Sequence, residues 1–281
     1  MLTKSVGIVA RLDREEALNF ALEISKYFES SGFKVFFELE LAEKIGKSSL
    51  ARSLRDMNVD LIVTIGGDGT ILKTCLNIPK PEPPILAIDM GARGFLTEVS
   101  PERAYEAVEQ YLKGSYYIER YSKIASFVRN ARLPDALNEV FITSRHLAKL
   151  LHVKIWKDNI DIMECRADGV IIASQVGSTA YSFSSGGPIL DPEVDALILT
   201  PVCPVNLMRP IVFPPNSSIK IELIKPKNAL IVVDGNYQRD IGDGETTITV
   251  RNSEYKSTFI RFETNFYRRL KNRLLFPREE G

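Results

Sequence analysis

The sequence has few of the residues that bind metals or form disulfides. Its 281 residues include three cysteines and two histidines. Cys75, Cys165 and Cys203 are far apart and form no Cys-x-x-Cys pair, which argues against a disulfide framework and against a thiolate metal site. Two histidines are too few for a histidine-based zinc site. We therefore predict no metal site built by the protein's own side chains.

Long apolar runs and an excess of charge of either sign are also absent. No run approaches the ~20 residues that a membrane-spanning helix needs. The chain opens directly on a strand-like segment, so we expect no signal peptide. The 36 basic residues balance the 36 acidic ones, so no overall field favours nucleic acid or a membrane surface. We expect a cytoplasmic protein that binds neither.

The first third of the chain alternates between strand and helix patterns. We predict strands at 6–10, 34–39, 61–65 and 85–89, and helices at 17–28, 49–57 and 101–112. Asp13, with Glu16 three residues later, is the expected N-cap of the first helix. This alternation is typical of a doubly wound parallel sheet, in which ligands bind at the carboxyl ends of the strands.

From about residue 116 the pattern changes to many short strands. Asp234-Gly235 and Asp243-Gly244 are typical of hairpin turns between them. We therefore predict an α/β plus β fold with a β-sandwich-like second domain. A strand at 259–262 and a helix at 266–275 are expected to return to the first domain. The predicted domains are 1–117, with 256–281 packing back on it, and a β-rich domain at 118–255.

The segment Gly66-Gly67-Asp68-Gly69-Thr70 directly follows the buried strand predicted at 61–65. Its three glycines let the backbone turn tightly and approach a ligand. Their amides can face an anion, especially if a helix begins at Thr70. A carboxylate at Asp68 would repel phosphate, so it needs another role, such as taking a proton or holding a metal. The alternative is an ordinary strand-to-helix turn in which Asp68 caps the helix.

A second polar segment extends from Asp168 to Pro188. It is dense in hydroxyls, at Ser178, Thr179, Ser182, Ser184 and Ser185, and it includes Tyr181. Such a polar wall with an aromatic ring suits a nucleotide base and its sugar. The alternative is a capped helix with polar exposed turns, in which the tyrosine only packs.

A third candidate is the pair Asn138-Glu139, at the start of a predicted strand. Its amide and carboxylate offer partners for vicinal hydroxyls. A turn that ends in a strand explains this pair equally well.

Taken together and in order, these segments resemble the NAD kinase family over roughly residues 60–240. The resemblance rests on Gly66-Gly67-Asp68-Gly69-Thr70, Gly94-Phe95-Leu96-Thr97, Leu137-Asn138-Glu139-Val140, Asp168-Gly169, Gly177-Ser178-Thr179-Ala180-Tyr181-Ser182, Gly186-Gly187-Pro188, Thr200-Pro201-Val202-Cys203-Pro204, Arg209-Pro210 and Asp234-Gly235. Diacylglycerol, sphingosine and phosphofructo-type kinases share the first of these blocks. The Gly-Ser-Thr-Ala-Tyr block together with Asn-Glu is what distinguishes NAD kinases.

The resemblance implies transfer of the γ-phosphoryl group of ATP to the 2′-hydroxyl of the adenosine ribose of NAD, which gives NADP and ADP. Asp68 would accept or orient the proton of that hydroxyl. The phosphate-binding loop would comprise Gly66, Gly67, Gly69, Thr70 and Lys73. Because a Walker lysine is absent, Mg²⁺ delivered with ATP must neutralise much of the phosphate charge. Lys73 and Arg166 are candidates for extra cations, with an ordinary solvated surface position as the alternative.

The resemblance also implies a dinucleotide site and an oligomer. The site would comprise Asp68, Gly69, Phe95, Asn138, Glu139, Arg166, Asp168, Thr179, Ala180, Tyr181 and Ser184. Part of it comes from a neighbouring subunit in this family, so a homo-oligomer, a dimer or a tetramer, is expected. Polyphosphate could replace ATP as the donor. The sequence departs from the family pattern at Asp89 and Arg93, which we expect either to pair with each other or to alter the pocket.

Two other functions compete with this interpretation. One is a lipid or sugar kinase of the same superfamily, which would need an apolar groove or sugar-binding residues in place of the wall around Tyr181. The other is a nucleotide-binding sensor without catalysis. The carboxylate of Asp68 argues against a sensor, since a pure binder gains nothing from a negative charge that faces phosphate.

Overall fold

A computed structural model describes residues 4–91, 94–146, 148–226, 228–242, 244–263 and 266–271. These residues fall into two compact units. The first unit comprises the described residues of Met1–Arg120 and Ser257–Gly281, and the second comprises those of Tyr121–Lys256. The chain therefore leaves the first unit, builds the second and returns to the first.

The described part of the chain contains both helices and strands. The strands are β1 Ser5–Ala10, β2 Lys34–Glu38, β3 Ala51–Arg52, β4 Leu61–Gly66, β5 Ile85–Asp89, β6 Tyr117–Val128, β7 Ala131–Arg132, β8 Glu139–Ser144, β9 Leu151–Lys157, β10 Ile160–Ala167, β11 Gly169–Ala173, β12 Leu197–Val202, β13 Ile211–Phe213, β14 Ser218–Lys225, β15 Ala229–Val233, β16 Tyr237–Ile241 and β17 Thr247–Arg261. The α-helices are α1 Glu15–Ser30, α2 Leu39–Lys44, α3 Asp68–Asn77, α4 Ala104–Leu112, α5 Tyr181–Ser184 and α6 Phe266–Leu270. Short 3₁₀ turns cover Ser48–Leu50, Leu54–Asp56, Pro101–Arg103 and Val176–Thr179.

The first unit is built on a parallel sheet with the strand order β3-β2-β1-β4-β5, and the end of β17 pairs beside β5. Every residue of β4 is buried, as expected for a central strand of a parallel sheet that is covered on both faces. In the register of β4 and β5, Gly66 lies opposite Asp89. The carboxyl ends of these two strands therefore lie side by side, directly before the loops that carry the candidate site. The predicted doubly wound domain is confirmed.

Two predictions for local structure in the first unit are wrong. Asp13 does not cap α1, because Arg14 holds the N-cap position and the Asp13 carboxylate is paired with Arg11 at 2.5 and 2.7 Å. The segment 49–57 is not a helix. It consists of 3₁₀ turns around β3, which pairs with the edge strand β2. Backbone pairing to an open sheet edge outweighs helix propensity in so short a segment.

The second unit consists mainly of antiparallel strands. One sheet has six strands in the order β13-β12-β11-β8-β15-β16, and β10, β9, β14 and β17 pair antiparallel in another. The predicted hairpin at Asp234-Gly235 joins β15 and β16, whereas Asp243 lies outside the described residues. Residues of β11, β12 and the loop before β12 form an apolar core around Ile171 and Ile198. The predicted β-rich unit after the α/β unit is confirmed.

The end of the chain returns to the first unit, as predicted. Phe259 of β17 pairs with Ile85 of β5, and Arg261 is only 1% exposed. Helix α6 follows, and the predicted extension of this helix to 275 lies outside the described residues beyond Lys271.

Over the residues that the structure describes, none of the helices combines the length and the hydropathy that a membrane span requires.

Candidate active site

The glycine-rich loop connects a fully buried strand to a helix. β4 ends at Gly66, Gly67 is the N-cap of α3, and the helix begins at Asp68, two residues before the predicted start at Thr70. The Thr70 amide donates to the Gly67 carbonyl at 3.0 Å, which closes the first turn. Asp68 is thus the first residue of the helix and not its cap, so the alternative in which it serves only as a cap is wrong.

The glycines of this loop differ in what the fold requires of them. A Cβ on Gly66 would collide with the Thr70 side chain and approach Cβ of Arg11, so the protein itself demands glycine there. A Cβ on Gly67 or Gly69 would meet no atom of the described residues within 4 Å. Neither Gly67 nor Gly69 has a positive φ. The absence of a side chain at these two positions is therefore not explained by packing or by backbone strain.

The carboxylate of Asp68 is held by the loop after β5. Its two oxygens accept hydrogen bonds from the amides of Phe95, at 2.6 Å, and Leu96, at 2.9 Å. A Cβ on Gly94 would collide with the Thr97 side chain and would lie 3.1 Å from an Asp68 oxygen, so the packing of this loop requires glycine at 94. Each carboxylate oxygen can accept more than one hydrogen bond. The two amides therefore fix the orientation of the carboxylate.

A buried ionic network supports the loop that holds Asp68. Arg261 donates to the Leu96 carbonyl at 2.9 Å, to Glu98 at 3.0 Å and to Glu119 at 2.6 Å. Arg269 of α6 donates to the Phe95 carbonyl and to Glu98. The return of the chain to the first unit thus fixes the backbone that orients Asp68.

The remaining site residues predicted in the first unit lie around the same loop. Phe95 is half-buried, and its ring packs edge-on against Phe266 at 5.4 Å. Lys73 lies one turn into α3, where its ammonium pairs with Glu40 at 3.2 Å on the surface. The Asp89 carboxylate accepts from the Gly91 amide at 3.0 Å.

Arg93, the expected partner of Asp89, lies outside the described residues, so their pairing stays a prediction.

In the second unit, Asn138 and Glu139 are both buried at the start of β8. The Asp234 carboxylate accepts from the amides of Leu137, Asn138 and Glu139 at 2.6, 2.8 and 3.0 Å. The Asn138 carbonyl accepts from the Ser174 amide at 2.8 Å. The backbone of the pair is thus held from two sides.

The Glu139 side chain has an unusual electrostatic environment. Burial and the nearby charge of Asp234 raise the pKa of Glu139 to about 8, against a hydrogen bond from the Tyr181 backbone that lowers it. Its Oε2 atom is buried and has no hydrogen-bond partner among the described residues. A buried polar atom without a partner in the protein is typical of a position that a ligand completes.

The predicted hydroxyl wall around Tyr181 divides into two groups. Ser178 and Ser182 are buried and bound within the unit, Ser178 by the Leu190 amide and Ser182 by the Thr200 hydroxyl. Their role is structural. Ser184 is exposed, and Tyr181 is 40% exposed.

The residues around these two are partly accessible. The Tyr181 ring packs edge-on against Phe141 at 5.1 Å. Thr179 and Ala180 are half-buried, and the Thr179 hydroxyl donates to the Val176 carbonyl at 3.1 Å. The accessible part of the predicted wall is therefore Thr179, Ala180, Tyr181 and Ser184.

Arg166 and Asp168 lie on either side of Ala167, the last residue of β10, and both are exposed. Arg166 borders a cavity of about 540 Å³ together with the basic residues Lys149, His152 and Lys225. Asp168 is held through its backbone, because its carbonyl accepts from the Thr143 hydroxyl at 2.7 Å.

The structure thus places the predicted residues in two groups. Those of the first unit are Gly66, Gly67, Asp68, Gly69, Thr70, Lys73 and Phe95, and those of the second are Asn138, Glu139, Arg166, Asp168, Thr179, Ala180, Tyr181 and Ser184. Sequence reasoning assigned no role to Arg261 or Ser174. It used Asp234 only as part of a hairpin turn and of a block that carries the family resemblance. Only the fold reveals that Arg261 is buried and that Asp234, a non-glycine turn residue, has a positive φ of 49°.

A metal site of the protein's own was not expected from the sequence. Among the residues that the structure describes, no three or more His, Cys, Asp or Glu side chains group in a way that could hold an ion.

The fold and the glycine-rich loop define an α/β plus β protein with a phosphate-type turn at the end of a parallel strand. Models of the ATP-NAD kinase N-terminal domain and of the ATP-NAD kinase C-terminal domain match residues 6–116 and 137–262. The chain belongs to the NAD kinase family.

Individual relatives agree with these domain matches along most of the chain. The chain is 42% identical to an NAD kinase of Methanothermobacter thermautotrophicus over 273 residues, 96% of each sequence. It is 39% identical to an NAD kinase of Thermococcus sibiricus, over 93% of this chain and 95% of that protein. Its structure is similar to the crystal structure of an Archaeoglobus fulgidus NAD kinase in complex with ATP. That similarity has a TM-score of 0.80 and 28% identity, and it covers 96% of this chain and 98% of the other.

Proposed function

We propose that this protein is an NAD kinase that uses ATP to phosphorylate the 2′-hydroxyl of the adenosine ribose of NAD. The observation that carries the proposal is the carboxylate of Asp68, oriented by two backbone amides directly after a glycine-rich turn. Phosphoryl transfer needs little covalent chemistry from the protein and depends on positioning and charge stabilisation. A carboxylate with a fixed orientation beside the glycine-rich turn provides the positioning.

In the proposed reaction, Asp68 accepts or orients the proton of the ribose hydroxyl. The hydroxyl oxygen forms a bond to the γ-phosphorus of ATP, the bond from that phosphorus to the β–γ bridging oxygen breaks, and ADP leaves with the electron pair. A positioned base of this kind typically contributes ~10²–10⁴-fold. The open space at Gly67 and Gly69 supports the approach of phosphate oxygens to the amides of this turn.

The second unit is proposed to hold the dinucleotide. Asn138 and Glu139 supply polar groups at the start of β8, and the unpartnered Oε2 of Glu139 would bind a ribose hydroxyl. Thr179, Ala180 and Tyr181 would frame the adenosine. Arg166 is proposed as a phosphate contact because it borders a basic cavity.

Mg²⁺ is proposed to enter with ATP. Mg²⁺ retains several waters and needs only one or two carboxylates besides the substrate phosphates. Asp89, at the end of β5 and opposite Gly66 in the register of β4, is the acidic group that would contact the ion. When bound, the ion would neutralise charge on the phosphates.

Three further features remain proposals. Polyphosphate could serve as a donor, because it presents the same phosphate chain to the loop. A dimer or tetramer is proposed from the family, and light scattering after size-exclusion chromatography would give the mass. A cytoplasmic location is supported by the free thiol of the exposed Cys203, which is typical of a reducing compartment.

The test is direct incubation of the purified protein with ATP, Mg²⁺ and NAD. NADP formation is measured with an NADP-specific dehydrogenase. Parallel reactions replace NAD by NADH, a diacylglycerol or a sugar, and replace ATP by polyphosphate. We expect NADP from NAD and no phosphorylated lipid or sugar. A protein that binds NAD and ATP but forms no NADP would instead be the sensor considered above.

A further inference from the structure

One buried side chain holds the backbone at the entrance to β8. Asp234 opens the hairpin turn between β15 and β16, is 3% exposed and has a φ of 49°. Its carboxylate accepts from the three successive amides of residues 137–139, and its own amide donates to the Glu139 carbonyl at 3.1 Å. Left-handed φ is uncommon for a non-glycine residue, although Asp tolerates it better than most. The turn therefore places this carboxylate at a defined point of the backbone.

The opposite side of the same segment is held by a different element. The Ser174 hydroxyl donates to the Leu137 carbonyl at 2.5 Å, and the Ser174 amide donates to the Asn138 carbonyl at 2.8 Å. A Cβ on Gly177 would collide with the Asn138 carbonyl, so glycine lets the 3₁₀ turn pack there. Ser174 thus fixes the carbonyls of Leu137 and Asn138. Among the hydrogen bonds of the described residues, only those to Asp234 hold the three amides of residues 137–139.

We propose that Asp234 is a positioning residue for the dinucleotide site, which fixes Asn138 and Glu139 so that their side chains meet NAD. This inference rests on the proposed function, because it assumes that these two residues bind NAD. It assigns a function to a residue that makes no proposed contact with a substrate.

The charge of Asp234 also acts on Glu139. Both oxygens of Asp234 accept from amides, which fits an ionised carboxylate. Burial raises the pKa of Asp234, while the three amides and the charge of Lys123 oppose that rise. The Asp234 charge in turn adds to burial in raising the pKa of Glu139, and the Tyr181 backbone is the opposing contact. Loss of this charge should lower the pKa of Glu139.

The experiment compares Asp234→Asn with Asp240→Asn as a matched control. Asp240 lies in the same hairpin, is exposed and pairs with Arg145 on the surface. An Asn at 234 tolerates the left-handed turn but presents one acceptor atom instead of two, so at least one amide loses its partner. For each variant, kcat/KM for NAD and KM for ATP are measured from pH 6 to 10, with Tm as a check of folding.

For Asp234→Asn we expect kcat/KM for NAD to fall about 10–100-fold, the range caused by a small misplacement of a binding group. KM for ATP should stay within about twofold. We also expect wild type to show an inflection near pH 8, which Glu139→Gln removes and Asp234→Asn moves to lower pH. Asp240→Asn should match wild type in every measurement.

The inference is overturned if wild type phosphorylates NAD and Asp234→Asn leaves either kcat/KM for NAD or the inflection unchanged. A wild-type protein that does not phosphorylate NAD contradicts the proposed function instead, and that result is obtained before any variant is tested. If Asp234→Asn does not fold, Asp234→Gly takes its place, since glycine adopts the positive φ without strain. The inference is then decided by the same two measurements on Asp234→Gly, kcat/KM for NAD and the pH of the inflection.

Discussion

At the scale of single residues, the glycines between β4 and α3 allow folding and binding to be tested separately. Gly69→Ala adds a methyl group where the described residues leave open space, in the first turn of a helix. Alanine in a helix is favoured over glycine by up to ~1 kcal/mol, so stability should be kept or rise. A blocked phosphate contact costs ~1.5–3 kcal/mol, which corresponds to a rise in KM for ATP of roughly 10–100-fold. Urea unfolding and initial rates measure the two effects.

Gly114→Ala is the matched control for this change. Gly114 has a φ of 74°, and a Cβ there would meet nothing within 4 Å. A left-handed alanine costs ~1–2 kcal/mol. We expect this variant to lose stability and keep its KM for ATP, the reverse of Gly69→Ala. An unchanged KM in Gly69→Ala would show that the loop does not approach phosphate closely at this position.

Glu139 should make stability depend on pH. Its pKa is about 8 in the folded chain, against 4.5 for an unperturbed glutamate, so the folded state binds more protons between these values. This contribution to stability is fully present below about pH 4.5 and is lost as the pH rises through 8. Relative to wild type, Glu139→Gln should therefore gain stability from pH 5 to pH 9, on the order of 4 kcal/mol. Urea unfolding at both pH values measures the difference.

The control for this pH effect is Glu222→Gln, an exposed glutamate of β14. It makes the same change of carboxylate to amide at an exposed position, and its stability relative to wild type is measured at the same two pH values. If the stability difference of Glu139→Gln changes between pH 5 and pH 9 no more than that of Glu222→Gln, the pKa of Glu139 is not raised by burial as described.

The identity of the key residues was predictable from the sequence, but their contacts were not. Asp68 stands out because a carboxylate in a phosphate loop needs a reason. Its partners, the amides of Phe95 and Leu96, lie 27 and 28 residues away and leave no trace in a sequence pattern. The Asp234 carboxylate likewise accepts from amides that lie 95 to 97 positions earlier in the chain, so its contacts were not predictable from a sequence pattern either. Contacts between distant segments need the fold.

At the scale of elements, the end of β17 and helix α6 stabilise the loop that orients Asp68. Arg261→Met removes a buried cation and leaves Glu98 and Glu119 without it. Breaking a buried ion pair by removing one partner costs ~3–5 kcal/mol. We expect a loss of this size in urea unfolding, together with a lower kcat, because the Leu96 carbonyl also loses its donor.

Arg268→Met is the control at the same end of the chain. The Arg268 side chain is 64% exposed and its guanidinium pairs with Glu263, and an exposed pair contributes at most about 1 kcal/mol. If Arg261→Met loses no more stability in urea unfolding than Arg268→Met, the buried network does not stabilise the loop that orients Asp68.

Elements with a strong pattern were predictable, whereas elements set by their neighbours were not. The buried run at 61–65 and the amphipathic helix around Ala21 carry their signals locally. Segment 49–57 looks helical, but Ala51 pairs with the open edge at Phe37. The Asp13 carboxylate was expected to meet helix amides and instead meets Arg11. In both cases a nearby partner outweighed local propensity.

At the scale of the whole molecule, the first unit needs both ends of the chain. A chain that ends at Lys256 lacks Phe259, one of the two strand partners of Ile85, and it also lacks the side chain of Arg261. We expect hydrogen exchange to show lost protection in β5 and in the loop after it. Protection in β8, β11 and β15 of the second unit should remain. Equal protection of β5 in the full and shortened chains would contradict this account of the returning segment.

The central claim is that Asp68 handles the proton of the attacking hydroxyl. Asp68→Asn keeps the size of the side chain and removes its ability to take a proton. The measurement is the steady-state rate of NADP formation, with NAD and ATP dissociation constants from calorimetry. The matched control is Asp161→Asn, which alters only an exposed pair with Lys154. We predict a rate lower by ~10²–10⁴-fold with both dissociation constants within a few-fold of wild type. A rate within about tenfold of wild type would contradict the claim.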